Sequence, residues 1–350
     1  MTHPYDKLPP TAFWRSGVAD QEPLAIRDVW QPKFQIGPED AVSTAGSCFA
    51  QHIGRALAER GFNWFEAEPT PYGLSDENRR RFNYGVFSFR TANIYTPAML
   101  RQWLEWAFDI SKPPSEIWEE NGRFFDPFRP AIEPDGFESE EELLASRAST
   151  LSAIRRAVNQ SSVFTFTLGL TEAWTNTRGG YVYSACPGTL RGRFDPELHA
   201  LKNYCHAELL ADLAAAFDIA REIKPNIRIL LTVSPVPMTA TASGRHVLLA
   251  NGYSKSVLRA AAGEYAESRD YADYFPSYEL ITGAPFRARF YAANMRSVSP
   301  EGVAFVMAHF FRAVQAPDPL PSPPPKKRAP VEAPDDITCE EELLEQFNNA

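Results

Sequence analysis

The stretch Ala45-Gly46-Ser47-Cys48-Phe49-Ala50-Gln51-His52 sets two small nucleophiles directly after a glycine. A short apolar run, Ala41-Val42, precedes it, and an amphipathic pattern from Phe49 to Arg60 follows. It therefore reads as a strand that breaks at a glycine and enters a helix. Main-chain N–H groups converge at such a junction, and a helix N-terminus stabilises negative charge and depresses a thiol pKa. The plainer alternative is an ordinary strand–glycine–helix junction with Ser47 as N-cap and Cys48 buried.

A nucleophile at this junction would need a base, a group to orient that base and donors to stabilise developing negative charge as well. A cysteine needs its base less than a serine does, because some thiolate exists near neutrality. Of the six histidines, His246 follows the loop Ser234-Pro235-Val236-Pro237 and is the preferred base. His52, one turn beyond Cys48, reads more simply as a helix-surface residue, and His309 as a structural one. Glu172 could orient a base or substrate, or only cap its loop. Lys255 could supply a cation or be a solvated side chain. Arg296 could bind an anionic substrate group.

These residues need a scaffold, and the pattern supplies one. Helical periodicity runs over 140–160, from Cys205 or His206 to Ile223, over much of 247–267 and from Ser299-Pro300-Glu301 to about Val314. Between these lie β-rich runs at Ala41-Val42, Phe62–Phe65, Ser162–Leu168, Ile227–Val233 and Tyr271–Phe275. Strands alternating with helices predict a parallel sheet covered on both faces, with functional groups gathered beyond the C-terminal strand ends. Ser47 and Cys48, Gly169 to Glu172, and Ser234-Pro235 all fall at such ends. The expected organisation is an N-terminal arm (1–39), one domain (40–315) with an irregular insertion at about 111–140, and a Pro-rich linker leading to a short acidic helix (316–350). In that helix Leu343, Leu344 and Phe347 share a face that could dock on this chain or on a protein partner.

Composition narrows the function. A net charge of −9 without a basic stripe argues against nucleic acid. The four cysteines show no metal-ligand spacing, so no metal is expected, and their scatter fits a reducing, cytoplasmic setting. No apolar stretch reaches 18 residues, so no membrane span is expected. The glycine-rich phosphate cradles of nucleotide and flavin binders are absent, and no cofactor is expected.

Taken together, Gly46-Ser47-Cys48-Phe49-Ala50, Pro71-Tyr72-Gly73, Thr167 to Trp174, Thr232 to Pro237, Ser254 to Arg259 and Asp273 to Glu279 resemble the GSCFA-domain family over roughly residues 40–313. That family looks like a branch of the SGNH/GDSL hydrolases, which implies a three-layer α/β/α, flavodoxin-like parallel sheet and chemistry on acyl esters. On the SGNH pattern, Gly46-Ser47-Cys48 takes the place of Gly-Asp-Ser, with Cys48 at the nucleophile position. Gly54 matches a downstream glycine of the first block. Gly73 or Gly85 stands for the second-block glycine. Gly169 belongs to the third block, where Thr171 replaces the asparagine that donates to the oxyanion. Asn294 to Pro300 resembles the final block, but Asn294 replaces its aspartate and Ser297 its histidine. The resemblance thus implies an esterase or acyltransferase acting on a small-molecule or carbohydrate ester through Cys48 or Ser47. Loss of the acid–histidine pair keeps open an inactive binding module instead.

Overall fold

The apolar runs between the helices assemble into a sheet buried on both faces. The computed structural model describes residues 3–314 and 339–349. In chain order its elements are β1 (Val42–Gly46), α1 (Ala50–Glu59), α2 (Asp76–Arg81), α3 (Pro97–Ala107), β2 (Trp118–Glu120), β3 (Arg123–Phe125), α4 (Glu140–Gln160), β4 (Val163–Leu168), β5 (Glu172–Asn176), β6 (Val182–Tyr183) and β7 (His199–Asn203). There follow α5 (His206–Ile223), β8 (Arg228–Val233), α6 (Val247–Glu267), β9 (Ala272–Tyr274), α7 (Ser277–Thr282) and α8 (Pro300–Val314). The Pro-rich linker expected at 316–334 lies outside the described residues.

The central sheet has the order β1-β4-β8-β9, and all its pairs are parallel. Its side chains divide by the two-residue period of a strand. Val42, Val163 and Leu230 join Ile53, Leu57, Ile281, Phe310 and Phe311 in one core, beneath α1, α7 and α8. Phe164, Phe166, Ile229 and Leu231 join Trp103, Ile154, Phe217 and Leu258 in the other, beneath α3 to α6. The result is a three-layer α/β/α fold. Burial on both faces is why these strands read as unbroken apolar runs.

Phe62–Phe65, expected as a full strand, contributes a single parallel bridge between Trp64 and Val42. Trp64 is held there by its indole N–H, which donates to Thr44 Oγ1 at 2.9 Å. Phe65 N–H adds one bond to Val42 O, and the rest of the outer edge of β1 is taken by N–H groups of Ser88 and Ile94, which leave no room for a longer strand. With Trp64 counted, the order is the flavodoxin-like 2-1-3-4-5. Its switch point lies between β1 and β4, and ligands of such sheets bind outside the strand ends at that point.

Two further pieces complete the chain. The expected insertion holds the β2–β3 hairpin, followed by Asp126, which binds Arg129 and Arg147 at 2.9 Å each. Burial pushes the Asp126 carboxyl up, but the two guanidinium groups outweigh it and hold the group below the ordinary carboxylate range. After β4 the chain forms a second, antiparallel sheet, β6-β5-β7, from short strands beyond the runs named above. The N-terminal arm also joins the core: Ile36 is fully buried and Trp30 stacks on Phe310. No described helix is long and apolar enough to cross a membrane.

Candidate functional site

The glycine at the end of β1 is required by its neighbour. Gly46 has φ +132°, and a Cβ there would meet the Thr167 carbonyl oxygen at 2.3 Å. This close approach continues as Ser47 N–H donates to Thr167 O at 2.9 Å, which carries the β1–β4 pairing past the strand end. Cys48 follows, only 5% exposed, and α1 begins at Ala50 with Phe49 as N-cap and no side-chain cap. Ser47 therefore does not serve as the N-cap. Its buried Oγ has no hydrogen-bond partner among the described residues. Among the described residues neither Cys48 N–H nor Phe49 N–H is taken by a main-chain carbonyl, as expected at the open end of a helix.

The end of β4 closes on this junction. Gly169 donates its N–H to Tyr95 O at 2.9 Å, and a Cβ on it would lie 2.9 Å from both Ser47 Cβ and Tyr95 Cδ1. From α6, Lys255 Nζ donates to Gly169 O at 2.8 Å, and Ser254 Oγ accepts from Thr171 N–H at 3.0 Å. Thr171 is fully buried, and its hydroxyl, like that of Thr167, has no partner among the described residues. Lys255 is 1% exposed, so it is a buried cation and not a solvated side chain. Burial lowers its pKa to about 8, against the pull of Glu341 and Cys48. Buried hydroxyls without a partner among the described residues, and a buried amine, are expensive features, tolerated where they serve a site.

The third wall comes from the loop before α8. Asn294 Oδ1 accepts the N–H groups of Arg296 and Ser297, and its Nδ2 donates to Ser297 Oγ at 2.9 Å. Asn294 and Ser297 thus bond to each other in a turn that aims Arg296 inward. Arg296 Nε donates to Pro237 O at 3.1 Å. Ser297 also lines a recess of about 20 Å³ with Cys48, Phe49, His52, Val236, Val298 and Glu342, which is room for about one water. His52 thus shares the recess with Cys48, and burial, then Arg55, lowers its pKa to about 4, so it is neutral.

The largest addition is the C-terminal segment, a 3-10 helix from Glu340 to Asn349 with Cys339 ahead of it. It docks by its polar end: Cys339 and Glu340 are buried, whereas Leu343 and Phe347 are about half exposed. The apolar face expected to dock is thus the outer one. Arg296 explains the inversion, because it donates to Glu342 Oε1 at 2.7 Å, to Cys339 Sγ at 3.4 Å and to Glu341 Oε2 at 3.5 Å. Glu341 also accepts Thr239 N–H at 2.8 Å.

Cys339 lies within hydrogen-bonding reach of Cys48, and both are free thiols. The hydrogen bond to Cys339, then burial, pushes the Cys48 thiol well above its ordinary value. The same bond brings Cys339 down to about 5, with Arg296 and Tyr95 assisting against burial. The pair therefore shares one proton, held on Cys48. Burial raises Glu341 to about 7 against Arg296, and burial, then Cys339, raises Glu340 to about 8. Burial disfavours the Arg296 charge, but Cys339 and Glu341 outweigh it and keep the guanidinium ionised.

Ser47, Cys48, Gly169, Thr171 and Arg296 are thus gathered around the switch point. The other expected residues stand elsewhere. His246 is exposed and caps α6, its Nδ1 accepting Leu248 N–H at 3.1 Å. Glu172 accepts the Thr241 hydroxyl at 2.7 Å and braces the loop after β8. Gly73 sits in an exposed loop with nothing within 4 Å of its Cβ position, and Gly85 packs on Arg79. Lys255 was only half legible and Cys339 not at all; a cysteine among acids in a terminal segment carried no spacing signal. Among the described residues no cluster of His, Cys, Asp or Glu could hold a metal.

The GSCFA family model matches residues 41–310, which spans every element from β1 into α8 and stops short of the docked C-terminal segment. No curated protein matches the chain closely enough to extend that finding.

Proposed function

The chain belongs to the GSCFA family, and from that premise we propose an SGNH-like esterase or acyltransferase in which Cys48 attacks the acyl carbon of a small-molecule or carbohydrate ester. The observation that carries the reading is the placement of Cys48 at the β1–β4 switch point, beside the buried cation Lys255 and under Arg296. Two cations near a thiol favour its thiolate. His246 caps a helix, so activation is assigned to Lys255 and Arg296 in place of a histidine. Lys255, its amine lowered to about 8 by burial in the docked state, is the group placed to donate a proton to the leaving alkoxide.

The tetrahedral oxyanion would be met by Cys48 N–H, at the open end of α1, and by the Thr171 hydroxyl, which has no partner among the described residues. Ser47 positions the sulfur or serves as the alternative nucleophile. Cys48 is covered in the docked state, and a recess of about 20 Å³ holds no acyl group. Turnover therefore requires Cys339 to Glu342 to move off the junction. Departure of the segment also removes the two groups that raise the Cys48 thiol, Cys339 and Glu341.

The test is turnover of short-chain aryl esters and acetylated sugars by the full chain and by Cys48→Ala, Ser47→Ala and Lys255→Met. Cys48→Ala should abolish turnover and Lys255→Met should cut it at least tenfold. Undiminished turnover in both Cys48→Ala and Ser47→Ala would sink the reading and leave a binding module in its place.

A further inference from the structure

We propose that Cys48 and Cys339 are an oxidisable pair, and that peroxide converts them to a disulfide locking the C-terminal segment over the end of β1. The proposal rests on their contact and surroundings and holds whether or not Cys48 attacks esters.

Cys339 hydrogen-bonds with Cys48 although the two come from opposite ends of the chain, and Glu342, three residues on in the same segment, lines the recess beside Cys48. Arg296, with Nη2 3.4 Å from Cys339 Sγ, and the Tyr95 hydroxyl hold the Cys339 thiolate. Arginine and hydroxyl donors around a thiolate also suit the charge that develops on a peroxide as its O–O bond breaks. The recess beside Cys48 has room for about one water, and Cys339 is only 9% exposed, so bulky disulfide oxidants are kept from both sulfurs. Lys255, Glu340 and Glu341 complete the charged surroundings.

The chemistry closes in two steps. Cys339 thiolate attacks one peroxide oxygen, the O–O bond breaks, and the departing hydroxide takes a proton from solvent to leave as water. Cys339 is then a sulfenic acid. Its negative charge is gone, so Cys48 now faces Lys255 and Arg296 without an opposing thiolate, and its proton is more easily lost. Cys48 attacks the Cys339 sulfur, the S–O bond breaks, and hydroxide leaves with the thiol's proton as a second water. The two sulfurs together give up two electrons, and one peroxide becomes two waters.

The experiment treats the reduced full chain with equimolar hydrogen peroxide, blocks remaining thiols with N-ethylmaleimide, and maps the peptides by mass spectrometry. The expected product links Cys48 to Cys339, reverses with dithiothreitol and leaves Cys186 and Cys205 alkylated. Cys48→Ala should instead accumulate a Cys339 sulfenic acid that dimedone captures, and Cys339→Ala should give neither product. Because the Cys339 thiol is lowered to about 5, the rate should rise far less from pH 6 to 8 than an ordinary thiol's, which rises roughly tenfold per pH unit below its pKa. Deuterium exchange in 339–349 should slow after oxidation. Separate alkylation of Cys48 and Cys339 after peroxide would overturn the proposal. So would first oxidation at the exposed Cys205, or a rate rising tenfold per pH unit.

Discussion

Lys255 is the residue whose presence costs the fold most plainly, and Lys255→Met measures that cost. The side chain is 1% exposed and its pKa falls to about 8, chiefly through burial. Against an unfolded value near 10.4, the difference of roughly 2.4 units corresponds to about 3 kcal/mol spent on keeping the amine charged below pH 8. Methionine fills nearly the same volume and removes that cost, but loses the hydrogen bond to Gly169 O, worth about 1.5–3 kcal/mol when the donor is charged. The variant should thus be as stable as the wild type, or more stable by up to about 1.5 kcal/mol, at pH 7. The sign of the pH effect follows from linkage. Between pH 8 and 10.4 the unfolded chain binds a proton that the folded one does not, so wild-type stability rises with pH relative to the variant. Urea unfolding of both proteins at pH 7 and pH 10 should show the wild type gaining about 2–3 kcal/mol on the variant. A variant destabilised by more than about 2 kcal/mol at pH 7, with a gap that does not change with pH, would refute the reasoning.

Three further outcomes follow from the same contacts. Arg296→Gln removes the cation from Glu341, whose side chain is 11% exposed, and the C-terminal segment should undock; Cys339 should alkylate at least about tenfold faster and 339–349 should exchange deuterium faster, a tenfold shift being about 1.4 kcal/mol. Gly169→Ala forces a Cβ to within 2.9 Å of Ser47 and Tyr95 and should lower stability by about 1–3 kcal/mol in thermal or urea unfolding. His246→Ala should cost about 1 kcal/mol through the lost α6 cap while leaving ester turnover unchanged; a large loss of turnover would return the base role to His246.

The scaffold was legible wherever local periodicity and burial agree. Helices α4, α5 and α6 carry apolar repeats and clear termini, and their bounds match the sequence pattern. The junction at Gly46 was equally plain, because a small-residue break between an apolar run and an amphipathic run has few other readings. Phe62–Phe65 misled because aromatic strand-formers there pack singly against β1 and are displaced by neighbouring loops. The β5–β7 sheet was only hinted at, since its strands are short and half-buried beside Pro- and Gly-rich turns. The candidate site was half legible. Ser47, Cys48, Gly169, Thr171 and Arg296 converge because they lie at loop positions fixed by strand order. His246 does not, because a histidine before a helix can cap as well as catalyse, and only geometry separates the two. Cys339 was hidden because its role depends on a contact across the whole chain, which Arg296 creates and no local pattern records.

The most direct measurement is the site of acylation. The reduced full chain should be mixed with excess aryl acetate, quenched in acid within the first turnover, and mapped by tandem mass spectrometry. A thioester on Cys48, absent from Cys48→Ala and removed by hydroxylamine, is the predicted result. Steady ester turnover with Cys48 unmodified, and with the acyl group on Ser47 or on no residue of the junction, would contradict the assignment of Cys48 as the nucleophile.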